Sequence, residues 1–348
     1  MITFKRCMLF LGFAFLLLFM VPIDLNKKND DDSEFRLFLK KYNKTYNNVT
    51  EYQFRLGAFK ASLNKINELN NLRKSNLSAW YGLTKYSDLF EDEFLDDHLM
   101  DDYAERQLLR NHVDTSSSEE SKSREVRQIS GLPLKIDWRE KGVITPVNNQ
   151  HTCGACWAFS VIETVEAMNA IKTKKLVKLS TQQAIDCAGY NNNGCDGGDM
   201  CTLLKWFIDK KVKIQTEEQY PLHLQTEKCK SNNTVDGVQI KKFACDSLIN
   251  DENYILATLA KHGPVTTSIN ALSWQNYLGG IVQYHCNSQQ KFLNHAVQIV
   301  GYDLESEIPH YIVRNSWGED FGDKGYVYIA IGNNICGIAN EVSALQVV

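Results

Sequence analysis

Gln150-His151-Thr152-Cys153-Gly154-Ala155-Cys156-Trp157-Ala158-Phe159-Ser160 decides how the rest of the chain is read. Two cysteines stand three apart with glycine and alanine between them. Ala158, Val161, Ile162, Val165 and Met168 then recur at helical spacing, with Glu163, Thr164 and Glu166 interleaved as a polar face. Cys156 is expected in the first turn of that helix, where unpaired backbone N–H groups and the positive dipole end favour a thiolate. It is a candidate nucleophile. Such a role requires a base, a group that orients the base, and an oxyanion donor elsewhere in the chain.

The bulk properties narrow the setting. At 348 residues and 43% hydrophobic, the chain can bury one large core or two smaller ones. A net charge of −4 with no Lys/Arg tract argues against nucleic acid as a partner. At the N-terminus Lys5-Arg6 precedes an apolar run from Cys7 to Val21, closed by Pro22. That run is short for a membrane span and fits a signal peptide over 1–22, with an uncleaved anchor as the alternative because no clear small-x-small cleavage site follows. No later stretch is apolar enough to span a bilayer. Ten cysteines less Cys7 leave nine, so an oxidising compartment predicts paired disulfides and one free thiol, consistent with Cys156. Sequons at Asn43, Asn48, Asn76 and Asn232 suit the secretory pathway, with lysosome or extracellular space as destination.

From about Asp32 to Leu99 the chain reads as helical and charged. Glu51, Arg55, Phe59, Ile66 and Asn70 share one helix face, and Tyr81–Leu89 is a short strand-like piece. Ala104 to Gln128, including Thr115–Ser123, Arg124 and Arg127, is poor in apolar residues and reads as a processing linker. A compact body starts at Leu132–Trp138. Within it a second helix is expected over Ser180–Ala188 with Ser180 as N-cap, and a third near Thr202–Lys210. Strands are expected over Gly263–Ile269, His295–Tyr302, Tyr311–Arg314 and Gly325–Ile331. Helices first and strands second imply an α+β fold with two subdomains.

The missing chemistry lies in that second half. His295, 139 residues after Cys156, offers the base, and Asn315, twenty residues further, offers an orienting amide beside Trp317. Cys153 and Cys156 as a metal pair would need a second pair at like spacing, and none follows. With Leu132–Trp138, Gly194–Gly198, Asn294-His295-Ala296, Asn315–Gly318 and Cys336–Ala339, the opening block resembles the papain family of cysteine proteases, the cysteine cathepsins. Ser273–Ile281 and Tyr311–Arg314 narrow the likeness to one branch of it.

That resemblance implies a helical domain and a β-barrel-like domain with the active-site cleft between them. The expected segments are a signal peptide at 1–22, an inhibitory pro-segment at 23–103, a linker at 104–130 and a peptidase domain at 131–348. It implies Cys156 as nucleophile in an ion pair with His295, Asn315 holding the ring under Trp317, and Gln150 as oxyanion donor beside the Cys156 N–H. Gly197, Gly198, Met200, Asn294, Trp317 and Glu341 would contact substrate. Glu341, five residues after Cys336, would lie at the end of the S2 pocket with Met200 and admit Arg at P2; the alternative is a solvent-facing Glu341. The resemblance implies disulfides Cys153–Cys195, Cys187–Cys229 and Cys286–Cys336, with Cys201 and Cys245 outside the usual set and free to form a fourth. It implies no cofactor and no metal. The partners it implies are protein and peptide substrates, the chain's own pro-segment and cystatin-type inhibitors.

The pro-segment departs from the family pattern at Ser62, Thr84 and Tyr86 while keeping Gly82 and Asp88, and Phe321 replaces a second tryptophan near the site. No insertion resembles an occluding loop, so endopeptidase action is expected. A catalytically silent papain-fold binding protein would be expected to lose Cys156, His295 or Gln150, and an inhibitor-like role would rest on the pro-segment alone.

Overall fold

The computed structural model describes residues 25–100, 103, 105, 106, 131–231 and 234–348. The apolar run 7–21, most of the linker and the Asn232 sequon lie outside them. No helix among the described residues is long and apolar enough to cross a membrane. The chain divides into two compact units, one ending at Lys60 and the other beginning at Ala61.

The first unit is α1 (Leu25–Lys41) with the opening turns of α2 (Val49–Asn71). Aromatic side chains supply its core. Phe59 lies 5.1 Å from Phe35 and 5.2 Å from Phe38, and Tyr52 meets Phe35 edge-on at 5.3 Å. Asp32 accepts from Arg36 and from the Tyr52 hydroxyl, tying the two helices across their polar side.

In the second unit the expected helical run ends at Asn71. Strand β1 (Trp80–Tyr81) and a series of turns lead to α3 (Glu91–His98). Asn70 closes the end of α2 onto β1: its amide donates to the Tyr81 carbonyl at 2.8 Å and accepts from the Tyr81 N–H at 3.0 Å. β1 pairs antiparallel with β5 (Tyr277–Gly279), so this stretch adds a strand to the body.

The body opens with β2 (Lys135–Asp137), then α4 (Cys156–Thr173), α5 (Thr181–Cys187) and α6 (Met200–Asp209). Ser180 caps α5 through the Gln183 N–H, and Asp199 caps α6 through the N–H groups of Cys201 and Thr202. The sheet half contains β3 (Ile240–Asp246), α7 (Glu252–Lys261), β4 (Val265–Ile269), β5 and β6 (Ile281–Val282), then β7 (His295–Asp303), β8 (His310–Arg314), β9 (Tyr326–Ala330) and β10 (Val342–Val347). The strands run in the order β3-β10-β4-β7-β8-β9-β6, and β2 pairs off this path with the Gly301–Asp303 end of β7. One core gathers around α4 and α6, the other around β4, β7, β8 and β9. The α+β fold with two subdomains is therefore observed. Helix α7 and strands β3 and β10 lie beyond the elements named from the sequence; β3 and β10 pair with each other, and pairing gives a short run a stability its composition does not announce.

One reading needs correction. Glu163, Thr164 and Glu166 do not form a solvent face, for all three are buried. Helix α4 is enclosed on every side from Cys156 to Ala167, and its carboxylates are satisfied internally. Glu163 accepts from Asn148 at 2.8 Å and pairs with the fully buried Arg314 at 3.3 Å. Glu166 accepts from the Thr145 hydroxyl and from the Leu179 N–H. A polar residue at a helical interval signals water only when no buried partner meets it.

Candidate active site

Cys156 is the first residue of α4, and Ala155 before it offers no side-chain cap. The Cys156 and Trp157 N–H groups are therefore left to act on the sulfur. Gln150 is held beside this turn. Its Nε2 donates to the Cys153 carbonyl at 3.0 Å, its Oε1 accepts from the Ser316 hydroxyl at 2.5 Å, and its N–H donates to the Ser316 carbonyl at 2.8 Å. One amide hydrogen of Gln150 is spent and one is left over.

From the other half, β7 begins at His295, and Asn315 directly follows β8, its neighbour in the sheet. Asn315 Oδ1 lies 2.8 Å from His295 Nε2, which places the proton on Nε2 and leaves Nδ1 as the acceptor; Nδ1 has no hydrogen-bond partner. The Trp317 ring covers this pair at 4.9 Å from the imidazole and is itself braced by Phe321 at 4.8 Å and Trp274 at 6.1 Å. Phe321 thus keeps the packing expected of an aromatic there.

Of the remaining expected site residues, Gly197 and Gly198 line the loop tied to Cys153 by the Cys153–Cys195 disulfide. Gly197 has a φ of +104°, and a Cβ on Gly198 would fall 2.5 Å from the Trp157 ring. Glu341 is buried rather than turned to solvent in the covered chain. Its Oε2 accepts from the Ser268 hydroxyl at 3.2 Å, and Ser268 Oγ lies 3.9 Å from Met200 Sδ. Cys187–Cys229, Cys286–Cys336 and the open pair Cys201–Cys245 are all bonded, and Cys156 is free and buried. Asp199, Cys201 and Glu341 bring three potential ligand atoms within 4.8 Å of one another, but Cys201 is spent in its disulfide and Asp199 in capping α6.

Residues 85–100, with Tyr103 and Arg106, lie over these groups. Lys85 Nζ donates to the Trp317 carbonyl at 2.9 Å and pairs with Asp320 at 2.8 Å. Phe94 and Tyr86 meet the Trp317 ring edge-on at 5.4 and 5.9 Å. His98 Nδ1 lies 3.0 Å from the His151 carbonyl, and the Met100 N–H donates to the Asn294 carbonyl at 2.7 Å. Arg106 reaches the carbonyls of Asp196 and Asn191 at 2.6 and 3.2 Å.

Beneath this cover neither Cys156 nor His295 is exposed. Burial pushes the Cys156 thiol up to about 12 against the pull of the Ala296, Trp157 and Cys156 N–H groups, and burial lowers His295 to about 4 despite its bond to Asn315. Both shifts disfavour an ion pair while the cleft is filled, because desolvation penalises either charge.

Residues 132–346 match the model of the papain family cysteine proteases, and residues 35–94 match the cathepsin propeptide inhibitor domain. The chain belongs to the papain family of cysteine proteases. The branch marked by Ser273–Ile281 is also found: this protease is 40% identical to "Cathepsin O" of Homo sapiens over 83% of this chain and 87% of that protein. "Cathepsin O" of Mus musculus is 38% identical over 85% and 91%. Among solved structures, the recombinant stem bromelain precursor covers 91% of this chain and 99% of its own at a TM-score of 0.76 and 30% identity. The proform of the ragweed pollen cysteine protease Amb a 11 covers 91% and 92% at 0.78 and 31%. The protease is therefore a papain-like cysteine peptidase carrying an inhibitory propeptide domain.

Tyr103, Arg106, Ser268, Lys85 and Arg314 do their work outside the residues picked from the sequence. Only Arg314 carried a signal, as a charge inside a β-branched strand.

Proposed function

We propose that the chain is the latent form of an endopeptidase that hydrolyses peptide bonds through an acyl-thioester on Cys156. The observation that carries this reading is the 2.8 Å bond from His295 to Asn315 under Trp317, with Nδ1 unpartnered and Cys156 at the uncapped start of α4. Once the cover leaves, water re-enters, the proton passes from Sγ to Nδ1, and the thiolate attacks the substrate carbonyl carbon. The oxyanion is received by the Cys156 N–H and the spare Gln150 amide hydrogen. His295 gives its proton to the leaving amine as the C–N bond breaks, and water then cleaves the thioester by the same route in reverse.

On this reading the described part of 23–103 is the inhibitor, 104–130 is where it is cut away, and 131–348 is the mature enzyme. A buried carboxylate at Glu341 suits Arg at P2. Four disulfides and the sequons suit secretory routing to a lysosome or the exterior, protein breakdown as the task, and cystatin-type inhibitors as regulators.

An epoxide that alkylates active-site thiols tests the assignment. Expected is no labelling of the intact chain and stoichiometric labelling of Cys156 after removal of residues up to about 130. Labelling at another residue, or none after processing, would refute it.

A further inference from the structure

Tyr103 is fully buried, and its hydroxyl is hydrogen-bonded to both Glu341 and Ser268. Those two residues do not meet by accident of side-chain reach. Ser268 is on β4 and Glu341 immediately precedes β10; the Ser268 N–H donates to the Glu341 carbonyl at 3.1 Å, and neighbouring Thr267 pairs with Val342 in the ladder. The sheet therefore holds a carboxylate and a hydroxyl side by side against Tyr103, with Met200 near Ser268. On either side of Tyr103 the covering segment touches cleft residues, with Met100 on Asn294 and Arg106 on Asp196. Tyr103 thus occupies a position that a substrate side chain takes once the segment is gone.

We propose that the S2 pocket of the mature enzyme selects tyrosine at P2 by its phenol hydroxyl, read jointly by Glu341 and Ser268. The chemistry of the pair is specific to that group. A phenol oxygen donates to a carboxylate and accepts from a serine hydroxyl at once. Phenylalanine does neither, and gives Glu341 no donor to add to the Ser268 hydroxyl. Arginine only donates: it pairs with Glu341 and can give a hydrogen to the Ser268 oxygen, but it cannot accept from that hydroxyl. A site built to pair a hydroxyl discriminates strongly against the analogue lacking it, because the cost falls on the polar groups left unpaired. The inference rests on the peptidase reading above and adds Ser268 as a specificity residue.

The test uses the full chain processed to the mature enzyme and titrated for active thiol. Peptides differing only at P2 carry tyrosine, O-methyltyrosine, phenylalanine or arginine. Expected is kcat/KM for tyrosine at least about tenfold above phenylalanine, with O-methyltyrosine no better than phenylalanine. Ser268→Ala and Glu341→Gln should each shrink the tyrosine-to-phenylalanine ratio. Equal rates for tyrosine and phenylalanine, full activity on O-methyltyrosine, or a preference for arginine over tyrosine would overturn the proposal. These substrate comparisons need no variant to fold. Absence of any titratable thiol and of cleavage at every P2 would instead overturn the peptidase reading, and this one with it.

Discussion

At the scale of single residues, the site separates groups that act on substrate from groups that hold them. Gln150 is fixed through three hydrogen bonds and donates with what is left, so Gln150→Ala should lower kcat by about 10²–10³-fold with little change in KM, read by steady-state kinetics on the mature enzyme. The Cys156–His295 pair makes a less obvious prediction. Opening the cleft turns a thiol and an imidazole into a thiolate and an imidazolium, which moves a proton between them and takes none from solvent. The pair therefore contributes little to the pH dependence of opening. Removing the sulfur exposes the hidden linkage: His295 is held at about 4 when covered against an ordinary 6.5, so in a Cys156→Ala chain the open state binds more protons between those values. The covered state then keeps its full advantage above pH 6.5 and loses it as pH falls toward 4. Pro-segment affinity in that variant, cut within 107–130, should drop on the order of tenfold more from pH 7 to pH 5 than in the native chain. Equal pH dependence in the two proteins would argue against the ion pair.

Among the elements, α4 shows how much of the site was legible in the sequence and where legibility stopped. Cys156, Gln150, His295 and Asn315 were readable because each sits in a short local pattern that chemistry constrains. The burial of Glu163 and Glu166 was not, because it depends on Thr145, Asn148 and Arg314, which approach only when the sheet half closes on the helix. Tyr103 and Ser268 were illegible for the same reason, being joined across 165 positions of chain. The buried carboxylates carry a stability consequence. Burial raises Glu166 to about 7 from an ordinary 4.5, so its contribution is intact below pH 4.5 and is lost as pH rises through 7. The mature enzyme should melt at a lower temperature at pH 8 than at pH 5, and Glu166→Gln should flatten that difference. A melting temperature that rises from pH 5 to pH 8 would contradict the assignment.

For the molecule as a whole, latency is spread over many weak attachments. β1 lends a strand to the body, Asn70 pins that strand, and Lys85 ties the turn before α3 to Asp320 and the Trp317 carbonyl. Lys85→Ala should weaken inhibition by the cut pro-segment by about 1 kcal/mol, roughly fivefold. An unchanged inhibition constant would show that this ion pair adds nothing to the hold.

The burial of Cys156 also bears on how the chain acquires its cross-links. Eight cysteines have to form four pairs while a ninth, three positions from Cys153, stays out of every bond. Exchange needs a thiolate and room for an attacking sulfur, and the covered Cys156 offers neither. With the segment in place, Cys156 is withheld from exchange in the folded chain. A chain begun at residue 131 should yield mispaired isomers involving Cys156 on refolding under a glutathione couple, where the full chain yields the four native bonds.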